Sequence, residues 1–178
     1  MGVKMRDLTG PTQGRAIRDL LQGLFVAEAI QPSDPLWILS GWISDIPIVD
    51  NRARQFAIVD PDWPIDLVPL SSVLRTMLAR GGSLAIVLRD VEHNRFFVER
   101  LRVLRFEYPD RIKTALTPDF HEKDIVGSDF VLSGSMNFTF RGLEVNDEHI
   151  VLHTDPTTVA ERRLTLEARW REKLDVEY

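Results

Sequence analysis

The chain has 178 residues, 44% of them hydrophobic and 28% charged, with a formal net charge of −5 and no cysteine. That length fits one domain with a core of its own. The acidic balance argues against a protein that coats nucleic acid along its whole surface, and the missing cysteines exclude disulfides and thiolate metal centres.

The opening MGVKMRDLTGPTQGR lacks the apolar core of a signal peptide, and no apolar run is long enough to span a bilayer, so a reducing cytoplasm is the expected setting. Residues 1–13 are polar and read as a flexible N-terminal segment, leaving 14–178 as a single domain. Ile17, Leu20, Leu21, Leu24 and Phe25 predict a helix over 14–30, closed by Pro32 and Pro35. LWILSGWIS, 36–44, reads as a strand apolar on both faces, as buried strands are. The Pro- and Asp-rich stretch 45–69 reads as a long loop with a short helix at 51–56.

A helix over 70–80 follows, stopped by Gly81 and Gly82, then a strand over 83–89, a helix over 94–104 and a strand over 111–117. Strands are predicted at 121–126, 130–137 and 148–153. Asp155 and Pro156 suit the N-cap and first position of a last helix, striped by Leu166, Trp170 and Leu174. The order predicts an α/β fold, a mixed sheet flanked by helices.

The chemistry concentrates in HEKDIVGSDFVLSGSMN, 121–137. On extended backbone His121 and Lys123 share a face, about 7 Å apart, and so do Ser135 and Asn137. A turn over Gly127, Ser128 and Asp129, with pairing symmetric about Ser128, sets His121 opposite Ser135 and all four polar groups on one face; a slip by one residue divides them. An ammonium, a hydroxyl, a carboxamide and an imidazole suit a phosphodiester: the first three stabilise non-bridging oxygens, and the imidazole attacks phosphorus. Lysine and imidazolium neutralise the phosphate, so no metal or cofactor is called for.

His121-x-Lys123 with Gly134-Ser135-x-Asn137 resembles the HKD signature of the phospholipase D superfamily. The following FTFRGLEVNDEHIVL, with Gly142 and Asn146-x-Glu148, is similar to the end of its nuclease-like domains. The resemblance implies a phospholipase-D-like fold with one HKD motif per chain. It implies a phosphohistidine formed by one histidine, a leaving oxygen protonated by a second, and hydrolysis by water. Short members with one motif homodimerise, which implies His121 from two subunits at one site. Lys123, Ser135 and Asn137 would bind phosphate, and Glu148 would orient the histidine. The family aspartate falls five residues after the lysine, here Ser128. Either Asp129 fills that role through a shifted turn or the role is vacant.

Ser133 and Gly134 beside the motif are substrate-binding candidates, as are Ser40 and Trp42 at a strand end, where Trp42 would stack on a base. His149 and His153, about 13 Å apart along a strand, cannot grip one ion together, and His93 reads as a capping or solvent residue. Asp45, Asp50, Asp60, Asp62 and Asp66 match no calcium loop. Two basic stretches, Arg100 to Lys113 and Arg162 to Lys173, carry acidic neighbours and read as ion-paired surface, or as a groove tracking a phosphate backbone.

The expected function is a metal-independent phosphodiesterase, a nuclease acting on DNA or RNA, in a bacterial restriction or anti-phage setting. The expected partners are a second copy of the chain, nucleic acid, and an ATP-driven translocase or helicase that delivers it, with no membrane. Two alternatives stand: a non-catalytic nucleic-acid-binding or scaffold subunit, and a phospholipid hydrolase, which ranks lower because no amphipathic membrane-binding helix is evident.

Overall fold

A computed structural model describes residues 5–9, 14–139 and 149–174. In chain order these form β1 (Met5–Thr9), α1 (Gly14–Ile30), β2 (Leu36–Ser40), β3 (Pro47–Asp50), β4 (Leu67–Pro69), α2 (Leu70–Ala79) and β5 (Leu84–Arg89). A 3-10 turn (Glu92–Asn94), α3 (Arg95–Glu107), β6 (Ile112–Thr117), β7 (Asp124–Val126), β8 (Val131–Gly134), β9 (His149–His153) and α4 (Pro156–Trp170) follow. Among the described residues, no helix is long and apolar enough to cross a membrane.

Seven strands make one sheet in the order β1-β9-β8-β7-β2-β5-β6. β2, β5 and β6 run parallel; β7, β8, β9 and β1 continue the sheet antiparallel. The central strands are buried on both faces, as the unbroken apolar runs predict. Leu36, Ile38, Leu84 and Ile86 join Leu21, Phe25, Leu74 and Phe97 in the core beneath α1, α2 and α3. Trp37, Leu39, Ala85 and Val87 turn the other way and pack with Val159, Leu166, Trp170 and Leu174 of the α4 region. Successive residues of a strand point to opposite faces, so the one sequence LWIL feeds both cores.

The amphipathic helices fall where their spacing puts them. α4 opens as expected: Asp155 Oδ1 accepts the N–H groups of Thr157 and Thr158, both at 3.2 Å, and Pro156 takes the first position. α2 stops two residues before Gly81, whose φ of +92° suits a residue without Cβ.

Five expectations are corrected. Residues 5–9 are not loose: β1 pairs antiparallel with β9, Met5 facing His153 and Thr9 facing His149. An edge strand needs only backbone partners, and Leu8 is its one buried residue. The loop 45–69 contains a hairpin, β3 with β4. No helix forms at 51–56, because Arg54 sits at φ +56° and the buried Asn51 side chain bonds Pro64 O and Phe56 N instead. The strands carrying the polar motif are shorter than predicted, ending at Asp124 and Gly134.

The fifth correction is the register. Asp124 faces Ser133 and Val126 faces Val131, one residue away from symmetry about Ser128. Gly127 N–H donates to Phe130 O at 3.0 Å, so the loop is Ser128 and Asp129 alone, the two-residue length that hairpins favour. Strand alternation therefore does not gather His121, Lys123, Ser135 and Asn137 on one face.

Candidate active site

The parallel strands β2, β5 and β6 all end on one edge of the sheet, and β7, antiparallel to β2, begins there. That edge collects residues 41–44, 90–94, 118–123 and 135–139, the places beyond strand ends where open sheets bind ligands.

Gly41 is the meeting point. A Cβ built there would lie 3.3 Å from Phe120 O and 3.5 Å from Asn137 Oδ1. The backbone next to His121 and the carboxamide of Asn137 therefore crowd the same small volume, and glycine leaves it open. Asn137 Oδ1 accepts the N–H of Trp42 at 3.3 Å, and Ser44 N–H donates to Phe138 O at 2.8 Å. The segment after β2 thus runs beside the residues after Gly134.

Asn94 locks this edge from below. It is 1% exposed; its Oδ1 accepts Ile43 N–H at 2.8 Å, and its Nδ2 donates to Gly41 O and Arg89 O at 2.9 and 2.8 Å. Next to it, His93 Nε2 lies 3.0 Å from Ser44 Oγ. The Arg89 guanidinium sits 5.4 Å over the half-buried Trp42 ring and donates through Nε to Pro118 O at 3.0 Å. Sequence reasoning passed over Arg89 and Asn94 and read His93 as a capping or solvent residue. Their signal is position: Arg89 closes a buried strand, and the other two follow it at a ligand-binding edge.

The expected site residues divide as follows. His121 is exposed, and the Lys123 ammonium donates to its carbonyl at 2.8 Å. Gly134 N–H donates to Lys123 O at 3.3 Å, which sets Lys123 across from Gly134. Ser135 Oγ accepts His149 N–H at 3.0 Å. Ser133 is half-buried opposite Asp124.

Gly134 packs against β9 so closely that a Cβ would overlap His149 O and lie 2.9 Å from Ile150 Cα, so its place in the motif is explained by packing. Ser40 is fully buried and donates to Trp42 O at 2.7 Å, which shapes the turn. Glu148, with Gly142 and Asn146, lies outside the described residues.

Asp129 lies at the other end of the hairpin. Beside it, Ser128 N–H donates to Ser33 Oγ at 2.7 Å, and Arg163 donates to Gly127 O and Pro35 O, both at 2.9 Å, just before β2 begins. A cleft of about 490 Å³ opens there between Asp129, Arg163 and the first turns of α4. In that region Glu28, 4% exposed, accepts Ser33 N–H and Oγ–H at 2.8 and 2.7 Å. Burial raises its pKa above the ordinary 4.5 against the lowering by the Ser33 bonds; the Asp129 charge adds to the rise and Arg163 opposes it.

The remaining candidates are mostly engaged in structure. Asp45 accepts from Ser71 N and Oγ at 2.8 and 2.7 Å, and Asp60 accepts Thr76 Oγ1 at 2.5 Å. His149 Nε2 lies 2.8 Å from Asp7 across the sheet edge. In the basic stretches, Arg102 pairs with Glu99, Arg105 bonds Thr114 and Arg162 pairs with Glu122 and Asp124. Among the described residues no three His, Asp or Glu side chains cluster to hold a metal.

No family model matches the chain, and no curated protein matches its sequence. Solved structures do resemble it. NucT from Helicobacter pylori superposes at a TM-score of 0.61 and 14% identity, over 96% of this chain and 97% of that one. Nuc from Salmonella typhimurium, a phospholipase D family member, gives 0.57 and 16%, over 96% and 95%. Phosphatidylserine synthase from Haemophilus influenzae gives 0.64 and 17%, over 97% of this chain and 39% of that one. The chain has the phospholipase-D-like fold.

Proposed function

We propose that the chain is a phosphodiesterase that cleaves DNA or RNA through a phosphohistidine on His121. The observation that carries the reading is the convergence at Gly41. In a phospholipase-D-like fold, the segment bearing His121 and Lys123 and the segment bearing Ser135 and Asn137 meet at the edge where the parallel strands end. The overlap with NucT and with Nuc, a phospholipase D family member, along nearly their whole lengths supports a phosphodiesterase.

An imidazole nitrogen of His121 attacks phosphorus; a P–N bond forms as the P–O bond to the leaving oxygen breaks. The Lys123 ammonium and the Asn137 amide stabilise the charge on the non-bridging oxygens, where donors contribute most. The leaving oxygen takes a proton from His121 of a second subunit, since H-x-K occurs once in the chain. Water then cleaves the P–N bond. Fixed positive charge from lysine and imidazolium does the work a cation would do, which makes the reaction metal-independent. The net charge of −5 fits delivery of the strand by an ATP-driven partner in a restriction or anti-phage setting.

The test is cleavage of labelled single- and double-stranded DNA and RNA in EDTA, wild type against His121→Ala, with phosphatidylcholine vesicles as a further arm. Cleavage of nucleic acid by the wild type alone supports the reading; lipid turnover alone replaces the substrate. A non-catalytic nucleic-acid-binding subunit is the second reading. It is motivated by Ser128 standing where the family has its aspartate, with Asp129 one residue later. Binding without cleavage would establish it.

A further inference from the structure

We propose that Arg162 of α4 is a positioning residue for the H-x-K segment: with Arg169 it draws Glu122 against the helix. The inference rests on the phosphodiesterase reading of His121 and Lys123.

Glu122 stands between the two residues assigned to phosphate chemistry. A carboxylate there repels a phosphodiester, and its backbone lies outside the sheet ladder, which begins at Asp124. Both problems have the same solution in the structure. Arg162 donates to Glu122 Oε2 at 2.7 Å and to Asp124 Oδ2 through Nε at 2.9 Å and a terminal nitrogen at 2.5 Å; Arg169 bonds Glu122 Oε1. The Arg162, Glu122 and Asp124 side chains are 26%, 29% and 11% exposed, shielded enough for charge-assisted bonds to matter.

The helix that carries both arginines is fixed by Val159, Leu166 and Trp170 in the core. Glu122, Asp124 and Val126 all turn toward α4, while Ile125 turns to the opposite core. The period-two alternation therefore reaches Glu122, two residues before the ladder, and aims the intervening Lys123 away from the helix. Arg162 neutralises the intervening carboxylate, turns it from the reacting edge, and fixes the backbone on which His121 rides. A small displacement of a reacting group is costly to rate.

The test follows the four histidines by the NMR signals of their ring carbon-bound protons, alongside steady-state cleavage kinetics. In a folded Arg162→Met variant the His121 signal is expected to move while those of His93 and His153 stay. For a substrate the wild type cleaves, kcat should fall about tenfold or more with KM within about threefold. Arg162→Lys should restore part of the loss, because it keeps the charge without the two-pronged geometry. Glu122→Gln tests the same tether from the other end if Arg162→Met fails to fold.

An unchanged His121 signal in folded Arg162→Met, or in Glu122→Gln where that variant stands in, overturns the inference. A wild type that cleaves nothing, with the His121 signal still moved by Arg162→Met, sinks the phosphodiesterase reading and leaves the tether standing.

Discussion

The carboxamide oxygen of Asn137 accepts the backbone N–H of Trp42, 95 residues away in the chain, at 3.3 Å. An N–H must meet an acceptor, so the bond fixes which end of the amide is which. The oxygen holds the turn after β2, which leaves the NH₂ as the donor that the proposed phosphate site calls for.

This orientation separates two roles in one side chain. Asn137→Asp keeps the acceptor and loses the donor, adding a negative charge at the proposed phosphate site. Its stability should stay within about 1 kcal/mol of wild type, while cleavage falls by about a hundredfold or more. Thermal melting and a cleavage assay on the same preparation check both halves.

Trp42 and Arg89 form a stacked pair beside this bond. Aromatic side chains hold single strands by stacking on bases. Trp42→Ala, in a His121→Ala background that prevents turnover, is expected to weaken binding of a single-stranded oligonucleotide about tenfold. Fluorescence anisotropy reads it, and unchanged affinity would remove Trp42 from the substrate path.

Gly134 makes a prediction about stability. The β9 backbone leaves no room for a Cβ at this position. Gly134→Ala should cost about 3 kcal/mol or more, by forcing β8 and β9 apart, visible as a large drop in melting temperature. Gly14, with nothing near its would-be Cβ, should accept alanine without such a cost.

Glu28 predicts the sign of a pH effect. Burial raises its folded-state pKa above 4.5, so between those two values the folded protein holds more protons than the unfolded chain. Stability from this group therefore rises as pH falls through that window and is lost as pH climbs past the folded value. The difference in melting temperature between wild type and Glu28→Gln should shift in favour of wild type on going from pH 7 to about pH 5. A shift the other way contradicts it.

The helices and central strands were legible because their signals are local. The spacing of Leu21 and Phe25, the unbroken LWIL run and the Asp155–Pro156 cap each act within a few residues. β1 was not legible, since MRDLT gains its place from His149–His153, far along the chain.

The register at 124–133 turned on whether the hairpin loop holds two residues or three, a difference GSD does not reveal. The motif residues themselves could be read from the sequence. What brings Asn137 to His121's neighbourhood could not, because it depends on Gly41, Trp42 and Asn94, which the sheet joins from distant segments.

The most direct test is to trap the intermediate. The protein is mixed with ³²P-labelled oligonucleotide in EDTA and quenched in alkali, under which a phosphohistidine survives. Label is expected on wild-type protein, released by acid and absent from His121→Ala. Cleavage in EDTA with no label on the wild type, or label that persists in His121→Ala, would contradict it.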